Sequence, residues 1–413
     1  MKRKFLSTLA GVISLAILTV AMAAAIGLLQ QARSQNPTAA PTPSPQASAT
    51  TPVTNTASIA KPAPTPPEPT PAPGTPGPRV TTPTPTMIPV TPAPPLKATS
   101  PMIIVPIAEA DFGRVATGAQ IVVSASWGDG NAQFGKGASR TGPTSFTIDD
   151  QGKIYVLDTL NARVQQFAPD GKYLTSFQTP KGVEDIVFDG GFLYLLDSYG
   201  AHLVKKLDSA MRLVQDFPIA QELSLVPSAG GLFVHGGNIY VASLGDQSFP
   251  RLLYYQVASS AGAIPVSEQP KRRVPGRPAV LGDGYIAVTP GDSRNAIIRS
   301  HGPSGETTSE FGVSFETSAS AGFGKNLDQD RLGDVYLGVS FLLPGPERFD
   351  SGVNLNYLRL VVQLSAQGQF KRAFPITGAD SITDVQKDMV IRPDGGIYQL
   401  KTLKEGVQVL RWR

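Results

Sequence analysis

From residue 102 onward, apolar residues come in short bursts separated by Gly, Asp, Asn and Pro, and no segment sustains a 3.6-residue apolar period. That pattern predicts an all-β fold. One unit recurs: an apolar strand, a Gly-containing turn, then an aromatic-aliphatic strand. The second strand of the unit reads "KIYVLD", "FLYLLD", "NIYVAS", "GYIAVT", "DVYLGV" and "GIYQLK". Taking Tyr155, Tyr194, Tyr240, Ile286, Tyr336 and Tyr398 as equivalent gives spacings of 39, 46, 46, 50 and 62 residues. Units of that size are the blades of a β-propeller, so six repeats predict six four-stranded blades.

The last repeat offers only "DMVIRP", "GGIYQLK" and "VQVLRWR" before Arg413, one strand short of a blade. The run "AQIVVSASWG", residues 119–128, precedes the first full repeat and has no blade of its own. It is expected to pair beside the C-terminal strands and close the ring, which hides the sheet edges. Surplus length is expected in loops at 257–282 and 342–356, the positions most open to partner contact on a rigid ring.

The first hundred residues have a different composition. Residues 1–35 begin "MKRK" and continue with an uncharged apolar run, 5–29, long enough at about 1.5 Å per residue to cross a bilayer core of about 30 Å. Small residues at Ala21, Ala23, Ala24 and Ala25 suit a signal peptidase, yet the run continues through Ile26 to Leu29, so it reads as a retained anchor; cleavage would make the chain secreted. Lys2, Arg3 and Lys4 place the rest outside the cytoplasm. Residues 36–101 are dominated by Pro, Thr, Ala and Ser, which cannot build a core and favour an extended stalk reaching on the order of 200 Å. Residues 102–413 are then the propeller.

Charge and cysteine content narrow the function. Residues 1–101 hold seven basic residues against Glu68 alone, which leaves 29 basic and 31 acidic residues in the remainder. A near-neutral globular part has no concentrated basic face, so nucleic acid is not an expected partner. With no cysteine there is no disulfide, thiolate metal site, cysteine nucleophile or lipidation site.

Within "GPTSFTIDDQGKIYVLDTLNARVQQFAPDGKYLTSF", residues 142–177, the order is a Gly-Pro entry, a strand ending in Asp, then "GKIYVLDTLNARV" and an aromatic residue four places before Gly171. With the upstream "WGDGNAQFGKG", this resembles the NHL-repeat family of six-bladed β-propellers, related in shape to TolB-like propellers. The match is specific over 127–177, fair over 182–217, and reduced to strand and turn pattern beyond. The resemblance implies that Asp158, Asn161 and Arg163 reinforce a turn, where Asp and Asn bond backbone amides and Arg reaches the carboxylate. Asp197, Gly200 and His202 occupy the corresponding places in the second repeat.

Other motifs fall short of a reaction centre. "GNAQFGKG" at 130–137 has Gly137 where a phosphate loop needs a hydroxyl, and no helix pattern follows. "NLDQDRLGD" at 326–334 starts like a calcium loop but lacks the sixth-place Gly and has Leu337 at the twelfth; it aligns with "TIDDQGK" as a hairpin turn. His202, His235 and His301 belong to no metal motif, although a propeller channel can gather ligands from different blades, as in lyases and lactonases of related fold. "PKRRVPGRP" at 270–278 reads as a solvated basic loop, with anionic polymers or headgroups as the alternative. The expectation is a non-enzymatic binding or scaffolding module for a protein or envelope polymer, membrane-bound through 5–29 and without cofactor. A divalent-metal hydrolase or lyase acting in the channel is the alternative.

Overall fold

The computed structural model describes residues 101–112, 118–138, 141–198, 200–224, 231–244, 252–346, 349–350, 353–354, 356–376 and 385–412. The expected anchor and stalk lie outside these residues; among the described residues no helix is long and apolar enough to cross a membrane.

The chain forms a six-bladed β-propeller. Blade 1 is an antiparallel meander of Ser145–Ile148, Ile154–Asp158, Arg163–Phe167 and Tyr173–Gln178. Blade 2 repeats it with Val183–Asp189, Phe192–Asp197, Leu203–Leu207 and Leu213–Pro218. Blade 5 does so with Ser320–Gln329, Val335–Leu342, Tyr357–Leu364 and Phe370–Ile376. In each blade the first strand is innermost, and all six repeat positions read from the sequence fall on second strands.

The ring closes within blade 6, where strands from both ends of the propeller pair. Blade 6 is Met389–Ile391, Ile397–Thr402 and Gly406–Trp412, completed by an N-terminal strand, β2 (Ala119–Trp127), antiparallel to the last. The ladder's register shifts between Ile121 and Val123, and the adjacent Val122 and Val123 both pack into one layer with Val407 and Val409. The repeat's Gly171 allows β2 to come close: it has φ 87°, and a Cβ added there would lie 1.6 Å from the Val122 carbonyl oxygen.

Blades 3 and 4 depart from the simple repeat. Segment 257–282 is not the surplus loop its length suggests. Blade 3 runs Gly231–His235, Asn238–Leu244 and Leu252–Ser259, and two short strands, Gly262–Ala263 and Arg273–Val274, both pair with the third. Between them a 3-10 helix (Val266–Lys271) buries Gln269, whose side chain accepts from the Ala220 amide at 2.8 Å and donates to Pro218 O at 2.7 Å. An amide with three backbone partners fastens this segment to blade 2, which explains why it is not free. Segment 342–356 contains a small hairpin, Phe349–Asp350 with Val353–Asn354. Blade 4 is Arg277–Pro278, Tyr285–Pro290, Asn295–His301 and Thr307–Glu316, with a fifth strand, β1 (Met102–Pro106), parallel to its outer edge. Val105 and Phe112 fill the space between blades 4 and 5, so the start of the propeller covers an otherwise open edge.

The core is a set of layers between blades, such as Phe134, Phe146 and Val156 with Leu400 and Val409 between blades 1 and 6. The second strands of blades 1 and 2 are buried on both faces, so they read as continuous apolar runs instead of alternating ones.

Candidate functional site

The strand register defines what faces the centre. Across the first hairpin of each blade, the repeat positions Tyr155, Tyr194, Tyr240, Ile286, Tyr336 and Tyr398 pair with Thr147, Val187, Phe233, Arg277, Asp328 and Val390. These six residues, one per blade, all line a central cavity of about 220 Å³. Two residues further along each inner strand lies a second layer: Asp149, Asp189, His235, Ala279, Asp330 and Arg392. Of these, Asp189, His235 and Arg392 line the cavity.

In the first layer, charge is concentrated on blades 4 and 5. Arg277 pairs with Asp328 at 2.9 Å, also donates to Leu327 O, and lays its guanidinium 4.7 Å from the Phe233 ring centroid. Burial pushes the Asp328 carboxyl up, and the Arg277 guanidinium pulls it back down. Beside the start of blade 6, Lys387 reaches Asp185 at 2.6 Å and Ile186 O at 2.7 Å.

In the second layer the same strand position has two fates. Asp149 accepts from the amides of Gln151 (2.9 Å) and Lys153 (2.8 Å) and from the Tyr155 hydroxyl (3.2 Å). Asp330 repeats this with Leu332 (2.8 Å), Asp334 (3.0 Å) and Tyr336 (2.9 Å). These matching turns agree with the alignment of "NLDQDRLGD" to "TIDDQGK". Burial, reinforced by the neighbouring carboxylate, raises both phenol pKa values above the usual tyrosine range. In blades 2 and 3 the turn is one residue shorter: Gly190-Gly191 (φ 57° and 85°) and Gly236-Gly237 (φ 57° and 78°). Two glycines at positive φ make a two-residue hairpin that needs no side-chain support, so Asp189 and His235 are left to the channel.

The residues singled out from the sequence lie elsewhere, at the opposite ends of the second strands. Asp158 is fully buried; one oxygen accepts from the Gly135 amide at 2.9 Å, the other from Asn161 Nδ2 at 2.8 Å and Arg163 Nε at 2.9 Å. The rest of the Arg163 fork donates to the carbonyls of Asp129, Gly130 and Gln133, each at 2.8 Å. Asn161 also donates to Gly128 O at 3.1 Å. The cluster holds segment 128–135, the link from β2 into blade 1, including part of the "GNAQFGKG" run. Arg163→Lys loses the planar fork, and we expect it to lower unfolding free energy by about 1–3 kcal/mol, read from a denaturant melt; a change within error would show the carbonyls to be held by other means. Asp197 accepts from the Gly200 amide at 2.7 Å. The second hairpin is one residue longer than the first: Asp197 pairs with Leu203, whereas Asp158 pairs with Arg163. His202 therefore takes the left-handed position of Ala162 (φ 52° and 49°), and is not the counterpart of Arg163. The shared geometry is visible in the amides of Ile219 and Thr179, which donate to the carbonyls of His202 and Ala162.

His301 approaches Gly305 O at 3.2 Å and its pKa is lowered by burial; only His235 of the three histidines lines the channel. Among the described residues no group of three or more His, Asp or Glu side chains converges as a metal cage. The basic cluster divides: Lys271, Arg272 and Arg273 are exposed, whereas Arg277 turns into the channel. The basic run 270–278 suggests a loop, whereas Arg277 lies in a strand of blade 4. The available signal was its place in the repeat, opposite Ile286 across a hairpin.

No known family model matches the sequence, and no curated protein matches it. Among solved structures, a virginiamycin B lyase from Staphylococcus aureus is similar at 14% identity, covering 67% of this chain and 96% of that one with a TM-score of 0.38. A hydrazine synthase from Kuenenia stuttgartiensis matches at 15% identity over 62% of this chain and 72% of that one, TM-score 0.40. A DUF4221-family protein from Bacteroides vulgatus matches at 8% identity over 72% and 98%, TM-score 0.41. Likenesses this distant assign no function to the chain.

Proposed function

We propose that this protein is an extracytoplasmic propeller, anchored through residues 5–29 and held out on its Pro/Thr stalk, that binds an envelope partner without transforming it. The observation that carries this reading is that, Asp189 and His235 apart, the charged groups in and beside the channel are engaged. Lys387 is held by Asp185, Arg277 by Asp328, and Asp149 and Asp330 by the turns they stabilise. Groups tied into the fastening of neighbouring blades are poorly placed to exchange protons with a substrate or to reorganise around a metal. The NHL resemblance over 127–177 supports the same reading.

The test uses the full chain purified in detergent. Expected are metal content well below stoichiometric, a melting curve unchanged by chelator, and saturable binding to an isolated envelope fraction. A stoichiometric metal whose removal lowers the melting temperature, together with turnover of lactone substrates, would overturn the proposal in favour of a metal-dependent hydrolase.

A further inference from the structure

We infer that the turn end of the channel is a binding site for a primary ammonium group about the size of a lysine side chain, with Asp189 as its counter-charge. The inference rests on the binding reading above and names the chemistry that the partner presents. Three independent features point to it.

The first is the contrast between equivalent positions. Asp149 and Asp330 each accept three hydrogen bonds from their own hairpins. Among the described residues, no hydrogen bond or ion pair reaches the Asp189 carboxylate, because the Gly190-Gly191 turn closes without it. Burial raises its pKa above the ordinary aspartate value, Asp150 adds to the rise, and His235 and Lys206 act in the opposite direction without bonding to the carboxylate, which leaves it open to a donor from a ligand. The second is the setting: Asp189 and His235 end neighbouring inner strands and line the cavity together with the apolar residues Val187 and Leu232, while Phe233 carries the Arg277 guanidinium and Phe188 stacks on Tyr155. An acid at the end of an apolar wall made by Val187 and Leu232 suits an alkylammonium, whose methylenes pack on the wall while its N–H groups reach the carboxylate. The third is size. At about 220 Å³ the cavity falls below the roughly 300–1,000 Å³ typical of drug-sized ligands, and fits one inserted side chain. The other cations of the lining carry their own counter-charges: Arg277 pairs with Asp328, Lys387 with Asp185, and Arg392 with Asp394 at 3.4 Å.

The experiment is titration of the full chain with n-butylammonium, followed by calorimetry, with n-butanol and butyrate as neutral and anionic controls. We expect saturable binding of the ammonium alone. Asp189→Asn, checked for an unaltered fold by its melting curve, should weaken it roughly tenfold or more. Asp170→Asn, an exposed acid that does not line the cavity, should change it less than about twofold. Equal affinity in Asp189→Asn, or n-butanol binding as tightly as n-butylammonium, would overturn the inference. Stoichiometric zinc or manganese excluding n-butylammonium would overturn both this inference and the binding reading. Absence of both metal and ammonium binding would overturn this inference alone.

Discussion

Replacing Asp185 with alanine is expected to lower the stability of the propeller by about 3–5 kcal/mol, seen as a fall in melting temperature of roughly 10 °C. Asp185 is fully buried and joins four parts of the ring. Its Oδ1 accepts from Ser145 Oγ of blade 1 at 2.5 Å, from its own strand's Ile186 amide at 2.7 Å and from Lys387 Nζ, before blade 6, at 2.6 Å. Its Oδ2 accepts from the Leu232 amide of blade 3 at 2.7 Å. Alanine leaves the largely buried Lys387 ammonium with Ile186 O as its remaining acceptor and strips a buried amide of its partner. Stranding a charge is costlier than never having one, so Asp185→Ala/Lys387→Met should be more stable than Asp185→Ala alone. If the double variant is no better than the single one, the charge is not the source of the loss.

Removing β2 is expected to abolish cooperative folding. Without Ala119–Trp127, the Gly406–Trp412 edge loses its ladder, and Val122 and Val123 vanish from the layer they share with Val407 and Val409. The buried valines alone are worth about 1.5–3 kcal/mol each, and with the ladder the loss approaches the whole stability of a domain, about 5–15 kcal/mol. The truncated chain should elute as aggregate and melt without a sharp transition. Adding the peptide corresponding to residues 119–128 should restore a monomeric fraction, because the peptide supplies the strand that the ring lacks. A truncated chain melting cooperatively at the full-length temperature would show that the ring closes by other contacts.

Much of the fold was legible because its signals are local or periodic. Second strands repeat an aromatic-aliphatic burst, and the strand shortfall at Arg413 matched the orphan run at 119–128. The turn residues at Asp158, Asn161 and Arg163 were also visible, although the segment they hold, 128–135, lies about thirty residues upstream and was not. Segment 257–282 misled because its fastening is non-local: buried Gln269 bonds to Ala220 and Pro218, and nothing in the loop's own composition signals that. The His202 equivalence failed by one residue, since a hairpin's length cannot be read from polar residues alone when a left-handed position is open to a non-glycine.

By itself the sequence determined the all-β class, the six repeats, the strand that closes them, and a composition change near residue 101, because backbone pairing and burial leave period and turn signatures in any single repeat. Tertiary structure alone decided the channel. Thr147, Val187, Phe233, Arg277, Asp328 and Val390 are separated by 40 residues or more along the chain and become one ring only when the blades are arranged about an axis. Whether an acid at the end of an inner strand serves its own turn, as Asp149 does, or faces the channel, as Asp189 does, depends on one residue of turn length and on what the neighbouring blade places beside it.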